Sequence, residues 1–318
     1  MLVRYAAAFA TAALAFCASA PANAGMPTFC ERGKQVSATE QDRVLRFAGA
    51  VKQELDASGG RVALISRAGL DLSRFGLLYS HAGVALRDAG EAWTVRQLYY
   101  ACEESRPRLF DQGVAGFALG ADAPGQGHVS LVFPDGDDAA RLEEAARDKR
   151  LALSLLAGSY SANAYAFGTR FQNCNQWVAE ILASAWGRLG ANMDSNADGN
   201  AAGDSGDAKA ARERAQAWLR EQGYAAGPVK VPSRWLMFAG QFVPLLQLKD
   251  HPVEDIYALA LRVSVPASIE AFVHERTPAA RRVELCHDQR HIVVHRGWDA
   301  LGPGCEPGPG DKVIPLSS

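Results

Sequence analysis

Three things are scarce in this chain, and each scarcity excludes something. Positive charge is not in excess: 33 Lys and Arg stand against 35 Asp and Glu, with no clustered basic stripe. A nucleic-acid partner is therefore not expected, because phosphate binding needs such a stripe. Long apolar runs are missing beyond the N-terminal segment, and none approaches the roughly 20 residues a spanning helix requires. No transmembrane segment is expected once that N-terminal segment is removed. Internal repeats are also missing, and 48% hydrophobic with 21% charged residues is an ordinary globular composition.

The N-terminal segment reads as an export signal. Arg4 gives it a positive start, "YAAAFATAALAFCASA" is too short and alanine-rich for a membrane span, and Ala22-Asn23-Ala24 is a small-x-small cleavage site. Residues 1–24 are expected to be a signal peptide, with Gly25 opening a mature chain that is periplasmic or secreted. Cys17 does not make this a lipoprotein signal, since bulky Phe16 occupies a position that demands a small residue.

After Cys17 the cysteines are Cys30, Cys102, Cys174, Cys286 and Cys305. An odd number in an oxidising compartment leaves one thiol unpaired. Cys286 and Cys305 bracket a short stretch suited to a staple, which would leave Cys30 to pair with Cys102. Four cysteines admit three pairings, and sequence does not choose among them. Cys174 is the natural odd one out.

Along the chain, "SATE" at 37–40 has the form of a capping box, and Val44, Leu45, Phe47, Ala48, Val51 and Leu55 recur behind it at helical spacing. Strands are expected at 61–67, 75–86, 91–102 and 128–134, with a helix over 137–158. Asp135, Asp137 and Asp138 read as a turn and helix cap. Residues 190–210 are Gly-, Asp- and Asn-rich and are expected to form a flexible loop. Inside it, "DSNADG" (194–199) imitates a calcium loop, but Ser205 stands where the closing Glu belongs. Beyond it a helix (208–223), an apolar segment (233–248), a strand (257–266), a helix (267–276) and a strand (291–298) are expected. This divides the chain into a signal peptide (1–24), a catalytic-type domain (25–189), the loop (190–210) and a C-terminal α+β extension (211–318).

"QNCNQWVAE" (172–180) carries the candidate chemistry. Trp177, Val178, Ile181, Leu182, Ala185 and Leu189 form an apolar stripe, so a helix starts at Cys174 with Asn173 as its cap. Unpaired N–H groups at a helix start favour a thiolate. Of seven histidines, His81 is set apart by its place in an apolar strand beside small Ala82 and Gly83, which let another group approach. Strand alternation puts Tyr79, His81, Gly83 and Ala85 on one face. His287, His291 and His295 beside Cys286 suggest zinc superficially, yet "HIVVH" is strand-like and does not place them on one helix face. No metal and no cofactor is expected. Trp177 and Trp186 read as core.

"YSHAGVAL" followed by "QNCNQWVAE" resembles the circularly permuted branch of the papain-like, NlpC-type superfamily, where a strand histidine precedes the helix-borne cysteine. The "NC" at the helix start is similar to the nucleophile motif of lecithin:retinol acyltransferase-like proteins. More closely, "LLYSHAGVALRD" (77–88) and "QNCNQW" resemble a bacterial family, domain of unknown function 2145, apart from Leu78 where that family has Arg. The resemblance implies an α+β fold with an antiparallel sheet packed on helices in permuted papain-like order. It implies Cys174 as nucleophile, His81 as general base and, on the following strand, Gln97 as the group that orients His81, with Arg96 on the opposite face. Relatives carry Glu or His at that third position. The expected activity is an exported thiol hydrolase or acyltransferase on a cell-envelope substrate, a peptidoglycan peptide or a lipid. The competing expectation is a non-catalytic envelope protein that keeps the fold.

Overall fold

The computed structural model describes residues 37–120, 125–189 and 205–316. The expected signal peptide, Cys30, the calcium-loop lookalike and most of the Gly/Asp-rich loop lie outside the described residues.

The capping box forms as expected: Glu40 N–H donates to Ser37 Oγ at 3.3 Å, and Ser37 N–H donates to the Glu40 carboxylate at 2.9 Å. Helix α1 (Ala38–Ala57) buries Val44, Phe47, Ala48, Val51 and Leu55. Leu45, from the expected stripe, instead remains 47% exposed, because it falls one residue off the face that meets the sheet.

Strands β1 (Val62–Arg67), β2 (His81–Arg87), β3 (Trp93–Ala101), β4 (Arg106–Gly113) and β5 (Gly127–Phe133) make five of the eight strands of the main sheet. A small ribbon follows from β6 (Gly227–Lys230) and β7 (Ala260–Val263), and β8 (Arg281–His287), β9 (His291–Arg296) and β10 (Lys312–Pro315) complete the main sheet. Its eight strands run in the order β10-β9-β8-β5-β1-β2-β3-β4, with neighbours antiparallel. The fold is therefore α+β with an antiparallel sheet on helices. The segment read as a C-terminal extension supplies three strands of that same sheet, so the sheet runs across the expected boundary at 210.

Helices cover both faces. Phe47, Val51 and Leu55 of α1 and Phe117 of α2 (Val114–Leu119) pack on Ile65, Ala85, Val95 and Leu131. On the other face Leu64, Ala82, Val84 and Leu98 share one core with α3 (Gly136–Arg147), α5 (Cys174–Trp186), α6 (Ser205–Glu221) and α9 (Pro266–Arg276), with α6 and α9 packed on α5. Every residue of β1 is buried, as expected of a central strand covered on both sides.

Several boundaries differ from the sequence reading. The strand expected from Phe75 begins at His81, because a 3-10 turn (Ser73–Phe75) and Gly76 at φ 71° precede it. The helix expected over 137–158 breaks at Asp148, whose extended backbone (ψ 103°) and side chain cap a separate helix, α4 (Lys149–Ser154). The strand expected at 257–266 is instead α8 (Val253–Ala258) followed by β7, and α6 already begins at Ser205, inside the expected loop. The apolar segment at 233–248 supplies α7 (Arg234–Gly240), capped by Ser233. Strands β4 and β8 were not legible as strands: β4 mixes charge with Pro107, and β8 is punctuated by Arg282 and Glu284.

Candidate active site

The four amide side chains around the cysteine, Gln172, Asn173, Asn175 and Gln176, each fasten the start of α5. Asn173 Oδ1 accepts the Gln176 N–H at 2.7 Å, the expected cap, and its amide nitrogen donates to Ala162 O and Ser264 O. Gln172 donates to Leu155 O at 2.8 Å and accepts the Ala157 N–H at 2.9 Å. Gln176 donates to the carbonyls of Tyr165, Ala166 and Gly168, and Asn175 donates to Ser80 O at 3.2 Å. The helix start is thus held to the loop before it and to the entry of β2. Further along α5, Glu180 is buried against Arg212, with Gln216 and Gln172 on the same carboxylate.

Cys174 is the free cysteine among the described residues. Its Sγ lies 3.9 Å from Ser80 O and 3.6 Å from Asn175 Oδ1, and the Ala82 N–H donates toward it. Ser80 and Ala82 flank His81, so the fold brings the thiol to the peptide groups on either side of the expected base. The thiol's polar contacts among the described residues do not include a direct bond to the imidazole. Alternation explains this: Ala82 and Val84 point to α5, whereas His81 turns to the opposite face, with ring centroids 4.8 Å from Tyr99 and 5.9 Å from Phe117. Tyr79 does not share that face as expected. It precedes the strand, and its hydroxyl donates to buried Glu284 of β8.

His81 Nε2 lies 2.6 Å from Gln97 Oε1 on β3. Gln97 in turn donates through Nε2 to Gln112 Oε1 of β4, also at 2.6 Å. With Gln97 presenting its oxygen to the ring, His81 carries its proton on Nε2. Nδ1 is left with a lone pair. Gly83 makes this close pairing possible: a Cβ there would sit 2.9 Å from Arg96 O and 3.2 Å from Gln97 Cβ. The close approach the sequence suggested is thus by strand β3. Arg96 lies on the other face of β3, in a bidentate pair with Asp111.

Both groups are buried, Cys174 at 5% and His81 at 8% exposure. Burial pushes the thiol up to about 11, against the pull of the Ala82, Asn175 and Cys174 backbone amides and the Arg67 charge. Burial, with the Arg67 charge beside it, pushes the imidazole down to about 3, while Gln97 opposes this. At neutral pH the pair rests as thiol and neutral imidazole. Arg67, Tyr99, Gln112 and Asn175 complete the surroundings. Sequence reasoning assigned none of them a role, though Asn175 was visible as an amide beside Cys174.

The remaining candidates fall elsewhere. Cys286 and Cys305 form a disulfide, and Cys102 is disulfide-bonded too. His291 Nε2 approaches Cys305 O at 3.2 Å, His295 meets Asp311 at 2.7 Å, and His287 packs on Phe47. Asp135 occupies the N-cap position of α3 with Gly136 at φ 53°, and Trp177 and Trp186 are buried core. No described helix is long and apolar enough to cross a membrane, and the disulfides fit an extracytoplasmic compartment.

Neither the curated proteins nor the solved structures provide a match. Residues 54–273 match a family described as an uncharacterized protein conserved in bacteria, DUF2145. That match reaches from α1 to α9, covers both sides of the sheet and includes Cys174, His81, Gln97 and Gln112. The chain belongs to the DUF2145 family.

Proposed function

We propose that the protein is an exported cysteine hydrolase or acyltransferase that works through an acyl-enzyme on an amide or ester. The observation that carries this is the Gln112–Gln97–His81 relay. It sets a histidine tautomer with Nδ1 ready to accept a proton, next to peptide groups that touch Cys174 Sγ. In the proposed reaction Sγ attacks the acyl carbon and the thiol proton passes to His81, whose ring, on the opposite face of β2 against Tyr99 and Phe117, has to turn toward Sγ for the transfer. The carbon–nitrogen or carbon–oxygen bond then breaks, with His81 returning the proton to the leaving group. Water or an acceptor alcohol or amine attacks the thioester and regenerates the thiol. In this reading the Cys174 backbone N–H, at the start of α5, donates to the oxyanion. A neutral resting pair means that the proton moves as the carbon–sulfur bond forms. Cell-wall peptide, then acyl lipid, is the substrate class that a periplasmic or secreted location and the papain-like resemblance support.

A second reading, an envelope binding module, is favoured by the burial that keeps both groups neutral. A thiol-directed activity probe separates the two. Wild type should label at Cys174, Cys174→Ala should not, and His81→Ala should label more slowly near neutral pH. A wild-type thiol that titrates near the ordinary value of ~8.5 and ignores His81→Ala would leave the binding module standing.

A further inference from the structure

Ten large hydrophobic side chains are exposed among the described residues, and five of them fall within 235–257: Trp235, Phe238, Phe242, Val253 and Tyr257. The first three form one feature. They stand at i, i+3 and i+7 along α7 and the turn after it, which puts them on one side of a helical run. Trp235 and Phe242 are each 74% exposed, and Phe238 is 49% exposed. Their rings touch in series, with centroids 5.7 Å apart from Trp235 to Phe238 and 5.2 Å apart from Phe238 to Phe242. Met237 of the same helix is instead buried in a small core with Leu261, Val263 and Val265. At these exposures the three rings present roughly 400 Å² of aromatic surface to solvent, a scale at which a patch is often functional.

The ridge is carried on a fixed base. Ser233 Oγ caps α7 by accepting the Leu236 N–H at 3.2 Å. Beyond Phe242, Leu245 O accepts the Ala162 N–H at 2.8 Å, and the Gln247 N–H donates to Asn163 Oδ1 at 2.9 Å. Ala162 O in turn accepts from Asn173, the cap of α5. The segment is thus fastened to the loop that leads into the candidate nucleophile.

Charge indicates what covers the rings. Residues 222–249 contain Lys230, Arg234 and Lys249 and no Asp or Glu, in a chain whose net charge is −2. All three cations are exposed, and none forms an ion pair among the described residues. A second copy docked face to face would bring these like charges together, since a two-fold contact sets the same patch on both partners. An anionic lipid surface suits both features. Trp and Phe rings settle at the boundary of headgroup and acyl chain, and the neighbouring cations meet the lipid phosphates.

We propose that the Trp235–Phe238–Phe242 ridge is an interfacial anchor that seats the protein on an anionic membrane surface. The proposal does not depend on Cys174 being a nucleophile.

The test is co-sedimentation of the exported protein with phosphatidylcholine vesicles, with and without phosphatidylglycerol. Wild type should bind the phosphatidylglycerol-containing vesicles, and raised salt should weaken the binding. Trp235→Ala and Phe242→Ala should each weaken it about tenfold. Replacing Lys230, Arg234 and Lys249 together by Gln should remove the preference over pure phosphatidylcholine. Both rings are largely exposed, so thermal melts of these variants should match wild type. Quenching of tryptophan fluorescence by bromine-labelled lipid reads insertion directly. It should fall in Trp235→Phe while binding is retained, which a ring held outside the bilayer would not give. Absence of vesicle binding by wild type, equal binding to the two vesicle types, or binding unchanged in Trp235→Ala and Phe242→Ala overturns the anchor. A concentration-dependent dimer that Trp235→Ala converts to monomer, without vesicle binding, overturns it in favour of a second copy.

Discussion

Gln97 Oε1 faces His81 Nε2 at 2.6 Å, and Gln112 holds the amide in that sense. An amide orients the imidazole without stabilising its cation, so the pair's protonation is set by burial more than by the third residue.

Replacing Gln97 with Glu should change this directly. The carboxylate favours the imidazolium, so the pH at which Cys174 becomes alkylated by iodoacetamide should fall. Gln97→Leu should slow labelling near neutral pH by roughly tenfold, the effect of one lost hydrogen bond of about 1.4 kcal/mol. Labelling rates against pH for the three proteins check this. Identical profiles would remove Gln97 from the relay.

His81 makes stability depend on acid. Its folded value, about 3, lies below the unfolded value of 6.5, so protons bind the unfolded chain first. Stability contributed by the neutral ring is present above pH ~6.5 and is lost as pH falls toward 3, on the order of a few kcal/mol. His128 and His287 are also pushed down by burial and act in the same direction. Urea midpoints at pH 7 and pH 5 should therefore converge more closely in His81→Gln than in wild type, and equal differences would refute the assignment.

Cys174 acts at the other end of the scale. Its thiol is raised from 9.0 to about 11, so its contribution is intact below pH 9 and lost as pH rises through 11. Cys174→Ala should flatten that alkaline decline while it leaves the acid limb unchanged, as read from the same urea series.

The Glu180–Arg212 pair is a strong structural dependency. Both side chains are buried at 2.9 Å, so Arg212→Met should destabilise by about 3–5 kcal/mol because Glu180 is left charged in the core. Adding Glu180→Leu should recover much of that loss. Denaturant midpoints of the two single variants and the double variant measure the coupling.

The Cys286–Cys305 disulfide spans 19 residues. Its removal by Cys286→Ser with Cys305→Ser should cost about 3 kcal/mol in the chain-entropy account. Thermal melts under non-reducing conditions, with peptide mapping of the wild-type bridge, check the size and the pairing.

What the sequence made legible follows the local physics. The capping box at Ser37, the Asn173 cap and the central strands β1 and β5 are written in short-range patterns, and they appear where expected. The pairing of Gln97 with His81 was legible only through the family motif. Gln112 was not legible at all, because β4 is a half-exposed edge strand whose charges and Pro107 hide its periodicity. Arg67 was likewise hidden: an arginine at a strand end reads as solvent-facing until the helices are placed over it. The β2 boundary was missed because "FGLLYS" is apolar enough to extend a strand, while Gly76 in a left-handed conformation interrupts it.

The strand order has a consequence for how the chain must be made. β5 is hydrogen-bonded to β1 on one side and to β8 on the other, and β8 begins at Arg281. Until that residue is available, a nascent or cleaved chain presents β5 as a raw edge of wholly buried side chains, "GHVSLVF", without a neighbour. Such an edge recruits other strands, including those of identical chains. The sheet is therefore completed from its end rather than its beginning, and fragments that stop within α6 to α9 should be the aggregating ones.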